Sequence, residues 1–197
     1  MPLKIPSVTL LIAISANTSA ALVAIDDADF GVGSLTRDTS TGLDWLDPTY
    51  TTLNPGNIDA NGRSTAEILA NLGAGGDFQG FRLATGLEFG DLLTSAGIAF
   101  TTGCCGAKNS ANIDPIIGFQ NLVGVTQSTW TGTKGLLASG EKGEVFAEDG
   151  RAFIWTYGQL DAGGHWLVRD SSVPAPMTAA LLGLGLSGFI FTRRKLS

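Results

Sequence analysis

The chain has 197 residues, 44% of them apolar, with 27 glycines and 12 lysines and arginines against 18 aspartates and glutamates, for a net charge of −6. Lys4, Arg193, Arg194 and Lys195 lie in the two ends and every acidic residue lies between them, so the middle carries eight basic against 18 acidic residues. A body that acidic is repelled by nucleic acid and by anionic head groups, which excludes basic-patch nucleic-acid binding, and the length fits one domain with two short processing segments.

In chain order, Lys4 precedes an apolar run over residues 8–14 and then small residues, Thr18-Ser19-Ala20. This pattern predicts an export signal over 1–20, cleaved after Ala20. Asp26, Asp27 and Asp29 come next as an acidic cluster, read as solvated. "GSLTRD" and "GLDWLD" flank a Thr/Ser/Gly turn and predict a hairpin. In "NIDANG", Asn57, Asp59, Asn61 and Gly62 match the first, third, fifth and sixth positions of a calcium loop, which makes calcium the one cofactor to consider. Ile68 falls where that loop needs a bidentate glutamate, and a solvated turn accounts for the same residues.

Two capped helices are expected after this loop. Ser64 and Glu67 form a Ser-x-x-Glu capping box with Ile68, Leu69 and Leu72 on one face and Gly73 as the stop. Thr85 and Glu88 repeat the device, with Leu92, Leu93 and Ala96 apolar and Gly97 as the stop. Both glutamates are therefore read as caps rather than catalysts. Arg82 alternates with Phe81 and Leu83 in an expected strand, so its side chain points away from theirs, to a structural ion pair or to a ligand.

Cys104 and Cys105 are adjacent. Across a trans peptide their Cα atoms stand about 3.8 Å apart, below the usual disulfide window, so a ring between them is strained, while Gly103 and Gly106 give the backbone freedom to adopt it. A structural vicinal bridge, two unpaired thiols, and redox or intermolecular use all remain open. Asp114-Pro115 marks a further short helical turn. "STWTGT", "GEVFAEDGRAFIWTYG" and "GHWLVRD" predict strands, with Glu148-Asp149-Gly150 as a turn. His165 is the single histidine, beside Trp166 at the last strand, and is read as packing rather than catalysis. Phosphate-loop and dinucleotide fingerprints are missing from the sequence. Helices early and strands late predict an α+β domain over 21–172, with two short helices beside a small antiparallel sheet.

After Val173-Pro174-Ala175-Pro176, residues 177–192 carry no charge, and Arg193-Arg194-Lys195 closes the chain. These 16 residues give a helix of about 24 Å; apolar all round, it predicts a transmembrane helix with the basic cluster on the cytoplasmic side. The tripartite order resembles the PEP-CTERM sorting signal of Gram-negative bacteria, with Ala175 where that family usually has glutamate. The resemblance implies export through the inner membrane, cutting near Pro174-Ala175-Pro176 by an exosortase, and a mature form at the cell surface or outside the cell.

The middle carries a second resemblance. "GDFQGFRLATGLEFGDLL", between "GLDWLD" and "GHWLVRD", is similar to a Gly-aromatic-Arg-Leu-Ala/Pro-Thr-x-x-Glu segment of exported bacterial proteins that look like members of the C-type-lectin-like superfamily. It implies paired chain ends, and it offers Arg82, Trp45 and Trp166 as ligand residues, although core packing explains the tryptophans equally well. Glu-Pro-Asn and Trp-Asn-Asp, the sugar-binding calcium triplets of many lectins, do not occur. The expectation is an exported, non-enzymatic binding or structural protein. Its partners are the export machinery, an exosortase-type protease, the membrane and extracellular polysaccharide, with no nucleic acid. A redox enzyme working through Cys104/Cys105 and a calcium-stabilised adhesin are the alternatives.

Overall fold

The computed structural model describes residues 21–55, 58–156 and 163–171. Ala20 with the signal segment, Asn57 of the calcium-type loop, and the tail 173–197 with its expected span 177–192 lie outside the described residues. Among the described residues no helix is long and apolar enough to cross a membrane.

The fold is α+β. Strands β1 (Leu22–Asp27), β2 (Gly31–Asp38) and β3 (Leu43–Leu46) lead to helix α1 (Thr65–Asn71), strand β4 (Arg82–Leu83) and helix α2 (Gly86–Ser95). Then come β5 (Thr101–Thr102), α3 (Ile113–Val123), β6 (Gly132–Leu136), β7 (Lys142–Phe146), β8 (Arg151–Trp155), β9 (Gly164–His165) and β10 (Leu167–Asp170). They form two five-stranded sheets, ordered β1-β2-β3-β10-β4 and β5-β8-β7-β6-β9. The first is antiparallel throughout, whereas the second carries a parallel edge strand on each side, β5 on β8 and β9 on β6.

Both capping boxes are present, Ser64 with Glu67 and Thr85 with Glu88. Leu69, expected on the apolar face of α1, is instead 54% exposed, while Ile68 is buried. The third helical element is the longest helix described, at 11 residues. Pro115 sits in its first turn, where an amide hydrogen has no helical partner to lose. "STWTGT" is a turn rather than a strand up to residue 131: Trp130 and Thr131 take positive φ, and β6 starts at Gly132.

The expected single small sheet is two sheets because the last segment divides. His165 pairs with β6, Leu167 pairs with β3 and β4, and Trp166 lies between. Its N–H donates to Leu136 O (2.9 Å), its carbonyl accepts from the Ala84 N–H (2.8 Å), and its indole Nε1 donates to Gly143 O (3.0 Å). The ring packs on Trp45, Phe89 and Phe119, at centroid distances of 6.2, 4.7 and 6.2 Å. These rings centre a core that joins Val168 of the first sheet and Val145 and Ile154 of the second to Leu92 and Leu93 of α2 and Ile116 of α3.

β3 is buried at every residue because both faces of the first sheet are covered. Trp45 and Val168 face the main core; one residue along, Leu46 and Leu167 face a second cluster with Leu35, Ile68, Phe78 and Phe81. Close packing leaves no room for side chains on the second sheet at two points. A Cβ on Gly135 would stand 2.6 Å from Trp166 Cδ1, and one on Gly143 would stand 2.6 Å from Phe89 Cε1. Gly135→Ala is therefore expected to displace Trp166 and lower stability by about 1–3 kcal/mol, read as a reduced urea midpoint at unchanged slope; an unaltered midpoint would remove Trp166 from this central place.

Candidate functional site

Two clefts of about 660–670 Å³ each open on the described surface. The first opens on the second hydrophobic cluster and is lined by Phe30, Tyr50, Phe78, Phe81, Arg63 and Arg169, among others. Phe30 comes from the β1–β2 turn, Tyr50 from the 3-10 turn Pro48–Thr51, and Phe78 and Phe81 from the loop before β4. Phe30 is their hub, stacked on Phe78 at 6.0 Å and edge-on to Tyr50 and Phe81 at 5.5 and 5.9 Å.

Both arginines of this cleft are held from two sides. The Arg63 guanidinium lies 5.4 Å from the Phe78 centroid and pairs with Asp77 at 2.9 Å. Arg169 lies 4.8 Å from the Phe81 centroid and pairs with Asp27 at 2.6 Å. Asp44 stands 3.8 Å behind Arg169 and takes both forks of Arg37, at 2.7 and 2.9 Å. Arg37, Asp44 and Arg169 are direct cross-strand neighbours, so opposite charges line up across three strands. Asp29 and Asp77 add acceptors at the rim, so the lining is charge-balanced; Phe30 and Tyr50 are half-buried in its wall, while Phe78 and Phe81 are buried behind them. Such a surface suits a neutral, polar, ring-containing ligand; a charged one would have to break an existing pair.

Asp27 is thus not merely solvated. Its side chain is 7% exposed, and besides Arg169 it accepts the N–H groups of Asp29 and Phe30. Burial opposes its ionisation, but these hydrogen bonds and Arg169 prevail and lower its pKa.

The second cleft lies between α2, β5 and the β6–β7 turn, with Leu87, Gly90, Phe100, Thr102, Glu141 and Ile154 in its wall. Leu87 is 84% exposed, and a Cβ on Gly90 would meet the Phe100 ring at 2.7 Å.

The residues singled out from sequence do not converge on either cleft. Trp45 and Trp166, offered as ligand residues, are fully buried in the core and present no ring to solvent. Trp130 is the half-exposed tryptophan, with the Arg151 guanidinium 4.6 Å from its ring centroid. Arg82 projects outward and is engaged by Glu88 at 2.9 and 2.5 Å. Asp59 has a positive φ and its carboxylate accepts from both the N–H and the hydroxyl of Ser128. Asn61 lies in the same loop, where its carbonyl accepts from the Leu53 N–H. Among the described residues no group of three or more His, Cys, Asp or Glu is placed to hold a metal. His165 is buried, with Nε2 3.3 Å from Thr65 Oγ1, and burial pulls its pKa down to about 4. Cys104 and Cys105 are joined in a disulfide, and both are exposed.

Sequence reasoning missed the aromatic cleft because its rings come from three separated loops. The signal within reach was "GGDFQGF", two phenylalanines in a Gly-rich stretch that has no helical or strand period to bury them.

No family model, no curated protein and no solved structure matches the chain.

Two ionisable groups make stability depend on pH in opposite directions. Arg82 holds Glu88 at a pKa of about 2, below its ordinary 4.5, assisted by the Thr85 cap. Its stabilisation is fully present above pH 4.5 and is lost as pH falls towards 2. Arg82→Gln is expected to cost about 0.5–1 kcal/mol at pH 7, the pair being half in water, and clearly less at pH 2, where Glu88 is half protonated, by denaturant titration at both pH values. Asp47 behaves oppositely. Burial raises its pKa from 3.8 to about 6, although the Thr49 N–H partly supports the charge. The folded state then binds the extra proton, so stability falls as pH rises from about 4 to 6. Asp47→Asn keeps an acceptor for Thr49 and is expected to gain about 1–2 kcal/mol at pH 7, with the gain vanishing near pH 4 in a thermal-melt series.

Proposed function

We propose that the chain is an exported protein of the bacterial cell surface or extracellular matrix, processed at its tail by an exosortase-type protease. Its folded body would be a non-enzymatic binding module. The observation that carries the reading is the order Pro174-Ala175-Pro176, uncharged 177–192, Arg193-Arg194-Lys195, behind a body bearing every acidic residue of the chain.

The geometry of the body supports it. β1 begins two residues after Ala20, and β10 ends three residues before Val173. Ala21 and Ser171 are both tied to the β2–β3 turn, through Thr39 N–H to Ala21 O at 3.1 Å and Ser171 N–H to Gly42 O at 2.8 Å. A segment removed at either end therefore takes no described strand with it. The finer fold reading, a C-type-lectin-like domain, is supported by the pairing of β3 with β10, which joins early and late parts of the chain, and by α2 packed on Trp166. Binding rather than catalysis is favoured by the chemistry of the aromatic cleft, whose arginines are neutralised and whose wall carries the half-buried rings of Phe30 and Tyr50; extracellular polysaccharide is its proposed ligand. Glu67 and Glu88 are engaged as helix caps, and His165 is buried beside Thr51 and Thr65.

Fractionating cells that express the chain with and without residues 173–197 tests the address. Loss of the membrane-bound precursor upon deletion is the expected outcome, and unchanged membrane retention would contradict the proposal.

A further inference from the structure

We propose that the Cys104–Cys105 disulfide is a thiol-exchange site whose redox state fixes β5 against β8 and thereby sets the wall of the second cleft. The inference stands on the turn itself and holds whether or not the tail is cut.

Three observations carry it. First, both cysteines are exposed, so an attacking thiolate reaches the sulfurs without prior unfolding. Second, the turn is held in a conformation that open-chain residues avoid. Cys105 has φ +71° between Gly103 at +105° and Gly106 at +24°; a non-glycine residue adopts the left-handed region only where its surroundings impose it. The covalent ring is the constraint at hand. Third, the turn is bonded beside β5 at its start and lies close over it at its end. Gly103 comes directly after Thr102, and its N–H donates to Ile154 O at 2.7 Å, extending the pairing of β5 with β8 by one bond. Gly106 returns over the same strand, so that a Cβ there would lie 3.0 Å from the Phe153 ring and 3.4 Å from Thr101 Oγ1.

β5 is only two residues long, and its ladder is parallel and at the sheet edge. Phe100 just before it, Thr102 at its end and Ile154 opposite all line the second cleft. A strand so short is held in place by its flanking chain, and on the C-terminal side that chain is the disulfide turn.

The exchange partner is a dithiol. One of its thiolates attacks a cysteine sulfur, forming a mixed disulfide and releasing the other cysteine, which takes a proton. The second thiol of the reagent, as thiolate, then displaces the remaining cysteine and closes the reagent's own disulfide. Two electrons and two protons pass to the protein, which is left with two thiols. Cys105 is then free to return to negative φ, Gly103 loses its position under Ile154 O, and the Phe100 wall of the cleft loosens. An external disulfide reverses the exchange.

The test uses the full chain, with dithiothreitol as the dithiol and amide hydrogen exchange as the readout. Under native conditions the reductant is expected to convert the pair to two alkylatable thiols. It should speed exchange at residues 100–103 by about tenfold or more while β2, β3 and α3 keep their protection. The Cys104→Ser/Cys105→Ser double variant should show the fast exchange without reductant and no further response to it. The proposal is overturned by a pair that resists reduction until the protein unfolds. It is equally overturned by exchange at 100–103 that is the same in oxidised, reduced and double-variant chains, by acceleration spread over the whole domain, or by a reductant effect that persists in the double variant.

Discussion

The structure depends on one residue that belongs to neither sheet. Trp166 stands where the chain leaves β9 and joins β10, and its three polar groups bond to three different segments: the end of β6, the residue after β4, and β7. A buried indole needs a partner for its N–H. Here that partner is a carbonyl of the second sheet, while the backbone on either side of Trp166 pairs in different sheets. Satisfying these bonds places the two sheets relative to each other, and the ring then fills the space between them with Trp45, Phe89 and Phe119.

That placement decides where function can sit. With Trp45 and Val168 committed to the space between the sheets, alternation sends Leu46, Leu167, Asp44 and Arg169 to the opposite face of the first sheet. There the cover is thin: α1 contributes Ile68, and loops supply Phe30, Tyr50, Phe78 and Phe81. Rings from loops do not tile a sheet as a helix does, and the gap they leave is the aromatic cleft, with charged residues of the sheet paired beside it. Near the same crossing, His165 and Asp47 give opposite slopes of stability against pH. Burial keeps His165 neutral down to about 4, so the unfolded chain takes up protons first and stability rises with pH towards 6.5. Asp47, protonated up to about 6, works the other way. Between pH 4 and 6 the two tend to cancel.

The parts of the fold legible in the sequence are those that local chemistry fixes. Ser64 with Glu67 and Thr85 with Glu88 mark helix starts because the caps answer amides within three residues. The hairpins of β2 with β3 and of β7 with β8 arise from turn residues and alternation. β5 and β9 leave no such trace, being two-residue strands whose pairing is decided by distant partners. Trp166 in "GHWLVRD" reads as one more strand residue, since nothing within the segment reveals a change of sheet. For the same reason two tryptophans that resemble ligand platforms proved to be core, and an aromatic site assembled from three loops escaped notice. The adjacent cysteines were conspicuous, but their spacing left bridge and free thiols open; the structure joins them, with Cys105 in the left-handed region.

The β2–β3 turn gathers the first and last residues of the described body. Asp38 is buried, and its carboxylate accepts from the Ser40 N–H and hydroxyl at 2.8 and 2.6 Å and from the Ser95 hydroxyl at 2.9 Å, so the turn is fastened to the end of α2. Ala21 and Ser171 tie to that same turn. Chain entering before β1 and chain leaving after β10 therefore meet the body at one internally anchored point.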